Sequence, residues 1–172
     1  MSDFKARLSG GPINAKGEAP AVIAEVEASP DLLDGLIQAT YSQDVIVRWR
    51  AVYCLEMLVR RHPDWAHLFQ DRLLELMTAD EFWSIRMDVA RMAPNGIWSD
   101  EDYEKVLDFL FREAEGEVPF VQAWALDSLS QLALKDGTIK PRVIHLLEEG
   151  MVAGRASVRA RCKKALKRLA RG

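Results

Sequence analysis

Apolar residues along this chain recur three and four positions apart, and the stretches carrying them form two alternating sets. In the first set, four segments follow one template: DVIVRWRAVYCLEML from Asp44, DEFWSIRMDVARMA from Asp80, EVPFVQAWALDSLSQL from Glu117 and GRASVRARCKKALKRL from Gly154. Each holds a β-branched aliphatic followed by a polar residue, at Val47-Arg48, Ile85-Arg86, Val121-Gln122 and Val158-Arg159, so the anchors lie 38, 36 and 37 residues apart. Positions four, seven, eight and eleven after the anchor are apolar or small, as in Ala51, Cys54, Leu55 and Leu58, or Cys162, Ala165, Leu166 and Leu169. The third copy reads Ala125, Ser128, Leu129 and Leu132. That is the 3.6-residue period of a helix burying one stripe.

The second set lies between these segments: Leu32 to Ile37, Leu68 to Met77, Val106 to Phe111 and Val143 to Leu147. Start signals support it. Ser29 precedes Pro30 as an N-cap before a proline at N1, and Ser99 precedes three acidic residues, with Trp98 opposite Tyr103 as a hydrophobic staple. His62-Pro63 and Pro94-Asn95-Gly96 break helices, and Gly116 and Gly137 are expected as left-handed C-terminal caps. Strand-like alternation is absent. The pattern predicts an all-α chain of about four helix pairs, preceded by an extra N-terminal helix near residues 20–28.

A single helix pair cannot bury both its faces, and stacking pairs creates one continuous core. The template resembles the HEAT repeat family, whose inner helix reads D-x-x-V-R-x-x-A-x-x-A-L-x-x-L. The first copy matches at Asp44, Val47, Arg48, Ala51, Leu55 and Leu58, with Cys54 in place of an alanine. The resemblance is to the short bacterial variety and implies an α-α superhelix, a HEAT-like solenoid, with repeats at about 30–62, 64–95, 99–135 and 139–171. Residues 1–19, rich in Gly, Pro and small polar residues, are expected to be a flexible leader to a single domain over 20–172. The family also implies an acid–arginine ladder between repeats, for which Asp44/Arg48 and Asp80/Arg86 are candidates; the third copy departs from it with Gln122 and Pro119. The second copy meets Pro94 early, which predicts a shortened helix and a local irregularity.

Composition changes this picture at one point. No apolar block marks a signal peptide or a membrane span, so the expected location is cytoplasmic. Cys54 and Cys162 lie far apart inside helical patterns and read as reduced core thiols. Charge is unevenly placed: residues 1–156 carry 16 basic and 26 acidic residues, whereas residues 157–172 carry seven basic and no acidic one. The acidic body argues against general nucleic-acid binding. On the repeat register the basic end is the fourth inner helix, and its charge solubilises a face that no further repeat covers. It could also dock an acidic partner, or give weak self-association with the acidic body of another copy.

Chemistry is hard to find. No nucleophile elbow, zinc-protease, P-loop or dinucleotide fingerprint occurs, and His62, His67 and His145 are too scattered for a triad or a metal site. No catalytic, cofactor or metal residues are assigned, and the chain is expected not to be an enzyme. The face of each inner helix opposite its core stripe is the concave groove of a HEAT-like solenoid, where Trp49, Tyr53, Glu56, Arg60, Met87, Arg91, Asp127, Lys164 and Lys167 would meet a partner. Trp49 alternatively packs against the extra N-terminal helix or the leader. Trp65, Trp83 and Trp98 fall at helix starts as packing residues, and Trp124 at the edge of the core. The functional expectation is a scaffold binding a protein or peptide. One alternative is a DNA-binding, alkylpurine glycosylase-like HEAT protein, with Trp49, Trp83 and Trp124 and an acid at Asp88 or Asp127. Another is an accessory subunit of a lyase or other enzyme.

Overall fold

The computed structural model describes residues 3–78 and 82–171, and these are all-helical. In chain order they form α1 (Phe4–Leu8), α2 (Ala19–Ala28), α3 (Leu33–Ala39), α4 (Val45–Arg61), α5 (Gln70–Thr78), α6 (Trp83–Met92), α7 (Asp100–Ala114), α8 (Pro119–Leu132), α9 (Lys140–Ala153) and α10 (Ala156–Leu169). Short 3₁₀ turns over Pro30–Leu32 and Pro63–Phe69 run directly into α3 and α5. Along the chain α2, α4, α6, α8 and α10 each pack against the next, while α3, α5, α7 and α9 each lie against the member of that row that follows them. One hydrophobic cluster extends from Phe4 to Leu169. No helix among the described residues is long and apolar enough to cross a membrane.

Local chemistry sets the boundaries. The Asp44 carboxylate accepts from the Ile46 N–H at 2.8 Å to start α4, and the Ser99 hydroxyl accepts from the Asp102 N–H to start α7. Ser29 precedes Pro30 as expected, but its side chain makes no capping bond. Gly116 and Gly137 are not left-handed; positive φ occurs only at Gly10, Gly11 and Gly17 among the described residues. Helix α7 instead ends in a tightened turn, in which the Gly116 N–H donates to the Glu113 carbonyl at 3.2 Å.

Pro94 acts as the sequence predicts, ending α6 at Met92 after ten residues and leaving a 3₁₀ turn over Ala93–Asn95. The proline has no N–H, so the Ala90 carbonyl four residues earlier loses its intrahelical donor. Helix α8 replaces that donor: the Ser128 hydroxyl donates to the Ala90 carbonyl at 2.7 Å, in full burial. The Trp98 indole N–H closes the same break by donating to the Ala93 carbonyl at 2.9 Å.

The side chains after the four anchors mostly secure turns. Arg48 donates to the Ser42 carbonyl at 2.7 Å and Arg159 to the Gly154 carbonyl at 2.6 Å. Gln122, where the arginine of the pattern is missing, donates to the Ala114 carbonyl at 3.0 Å. Arg86 differs, reaching Glu113 on α7 at 3.1 Å. Asp80, its expected ladder partner, lies outside the described residues.

The N-terminal segment, expected as a flexible leader, is packed onto the body. Phe4 and Leu8 are buried. The guanidinium of Arg50, only 1 % exposed, donates to the carbonyls of Leu8, Ser9, Gly10, Pro12 and Ala15. The glycines that suggested disorder supply the positive φ angles, 69° at Gly10, 74° at Gly11 and 53° at Gly17, that wrap the chain around this one side chain.

Candidate functional site

The helices in the middle of the row are flanked on both sides, and this decides which polar positions reach solvent. Helix α10, at the end of the row, buries Val158, Cys162, Ala165 and Leu169, a single stripe. Helices α4 and α8 bury much more, including Glu56 and Asp127. These two residues, expected to face a groove, sit at seams between neighbouring helices and are neutralised there. Arg60 and Arg91 contact Glu56 at 2.5 and 3.1 Å. Arg168 and Arg161 approach Asp127 at 3.2 and 3.8 Å, and Gln131 donates to it at 3.0 Å.

Glu56 and Asp88 form an unusual pair. Arg91 bridges them, with Nη1 3.4 Å from Asp88 Oδ1, yet Glu56 Oε2 and Asp88 Oδ2 are buried with no hydrogen-bond partner among the described residues. Burial first, and the Glu56 charge second, push the Asp88 carboxyl well above its ordinary range; burial also raises Glu56. The leader completes the surroundings of the pair. The Lys16 ammonium donates to the Tyr53 hydroxyl at 2.7 Å, lies 4.2 Å from the ring centroid, and its charge favours both carboxylates.

Of the other expected groove residues, Tyr53 and Met87 are half-buried, Arg60 is exposed, and Lys164 and Lys167 are exposed on α10. Trp49 is buried, but against the start of α6: its ring meets Phe82 edge-on at 6.3 Å. Both cysteines are buried and free, and burial raises the Cys54 thiol to about 12 and Cys162 to about 11, far from a reactive thiolate. Each histidine has a local partner: His62 bonds Glu27 at 2.9 Å and stacks on Trp65, His67 bonds the Asp64 carbonyl, and His145 lies 3.4 Å from Glu149. Among the described residues no three His, Cys, Asp or Glu side chains gather closely enough to hold a metal ion.

What the structure brings together is a surface built from the N-terminal parts of α6, α8 and α10. Trp83 stacks on Phe120 at 5.9 Å, and the two rings remain 39 % and 55 % exposed. Phe82 links this stack back to Trp49, so four rings form a continuous chain. Beside Phe120 opens a hollow of about 280 Å³ between α8 and α10. The Trp124 ring lines it and carries the guanidiniums of Arg91 and Arg161 at 4.2 and 3.7 Å from its centroid. Ala123, Ser157 and Ala160 keep the hollow open because they are small, and Lys164 stands at its wall.

No protein-family model matches the chain, and no curated protein matches it significantly.

The exposed aromatic face was only partly visible in the sequence. Trp83 and Phe120 lie one or two residues before their anchors, in first turns where an aromatic reads as a staple. The usable signal was that such an aromatic occurs in consecutive copies, at the Phe82-Trp83 and Pro119-Phe120 positions.

Proposed function

We propose that this chain is a short HEAT-like α-solenoid that serves as a non-catalytic binding module for a protein or peptide, through the surface of α6, α8 and α10. The row of α2, α4, α6, α8 and α10, each packed on the next and backed by the intervening helices, is the contact pattern such a solenoid requires. The observation that carries the binding reading is the exposed Trp83–Phe120 stack beside the arginine-flanked Trp124. Stacked rings leave solvent more readily than they remain in it, and aromatic and arginine side chains supply most of the energy at protein interfaces.

A base-excising reading gains little from the same face. Asp88 and Asp127, the acids it would use, are buried and engaged by arginines. The test is affinity capture from the native source with the chain and with its Trp83→Ala/Phe120→Ala variant. The reading predicts a defined partner retained by the former and lost by the latter. Identical captures, or duplex DNA bound by this face at low salt, would contradict it.

A further inference from the structure

We propose that the occupant of this face is an acidic peptide segment with one large apolar side chain, seated in the hollow between Phe120 and Trp124. This presupposes that the face is a binding surface and adds the chemistry of what it binds.

Charge complementarity argues for the acid. Among the described residues the hollow is lined by Arg161 and Lys164 and by no carboxylate. Lys167, one turn beyond Lys164, is also exposed, and no acidic residue occurs anywhere in residues 157–172. Asp127, a buried acid paired with Arg161 and Arg168, is already engaged, and among the described residues no carboxylate pairs with Lys164 or Lys167.

The apolar anchor follows from the walls. Phe120 presents exposed ring surface, Trp124 lines the hollow beneath its stacked guanidiniums, and Ala123 and Ala160 end at Cβ, so the space fits a Leu, Phe or Trp side chain from outside. A nucleic acid fits less well: it needs a long run of cations, and the remaining 156 residues carry a net charge of −10.

The experiment is selection of a random dodecapeptide library displayed on phage against the full chain, followed by fluorescence anisotropy with the enriched peptides at low and moderate salt. Enriched sequences should be net acidic with a Leu, Phe or Trp. Lys164→Glu/Lys167→Glu should weaken them at least tenfold, Phe120→Ala should do so independently of salt, and Lys135→Glu in the turn after α8 should leave them unchanged. All these positions are exposed, and a circular dichroism melt verifies that each variant folds. Enrichment of basic or neutral peptides lost on Phe120→Ala would overturn the acidic occupant while leaving a binding module in place. Enrichment insensitive to every substitution on the face would overturn both. Low-salt dimerisation abolished by Lys164→Glu/Lys167→Glu would assign the face to a second copy and overturn the peptide.

Discussion

At the scale of single residues, two side chains show how a local defect is compensated elsewhere. Ser128 occupies a core-stripe position where alanine would fit the helical pattern, and its hydroxyl supplies the hydrogen bond that Pro94 withholds from Ala90. Ser128→Ala leaves a buried carbonyl without a donor and is expected to cost about 1–3 kcal/mol, measured by urea denaturation. A variant as stable as the parent would mean that Ala90 finds another donor. Asp88 is the opposite case, a buried acid that is imperfectly satisfied. Because its folded pKa is raised, the native state holds its proton where the unfolded chain has released it. Stability therefore falls as pH climbs from the ordinary aspartate value of about 4 through the raised value, and is constant above it. Asp88→Asn keeps an acceptor for Arg91 and removes the titration, so its stability relative to the parent should improve as pH rises across that window. Parallel unfolding profiles for the two proteins would contradict this. Both roles were hidden in the sequence, because a serine and an aspartate on a helix look the same whether they face solvent or a neighbouring backbone.

At the scale of elements, what could be read early was whatever depends on period and punctuation. The anchors at Val47, Ile85, Val121 and Val158, the short α6 and the cap at Ser99 all follow from spacing, a proline and a hydroxyl in the right place. What could not be read was which flank of each helix has a neighbour. Rotation about their own helix axes places Glu56 and Asp127 on an open face, yet α6 and α10 cover those flanks. The leader misleads for a related reason. Its composition is that of a disordered segment, but one buried arginine on α4 supplies donors for five of its carbonyls, and Phe4 and Leu8 add about 1.5–3 kcal/mol each by burial. Arg50→Ala should release this segment, at a cost of about 2–4 kcal/mol, and accelerate trypsin cleavage after Lys16. An unchanged cleavage rate would mean that the apolar contacts of Phe4 and Leu8 and the ion pairs of Arg7 hold the segment without Arg50.

At the scale of the molecule, the row of helices has two unlike ends. Near the N-terminal end the leader packs on α3 and α4 and brings Lys16 to the Glu56–Asp88 pair, whereas α10 leaves a basic flank uncovered beside an aromatic surface. The charge asymmetry of the sequence thus becomes a spatial one, with the cations placed where the exposed rings are. The five tryptophans report separately on this arrangement: Trp83 and Trp124 belong to the face, Trp49 is buried, Trp65 stacks on His62, and Trp98 bonds Ala93. Following their five indole N–H resonances by ¹⁵N NMR, while titrating a tryptophan-free acidic dodecapeptide from the selection, tests the location of binding directly. The account predicts progressive shifts at Trp83 and Trp124 with Trp65 and Trp98 unmoved; shifts confined to Trp65 or Trp98 would contradict it.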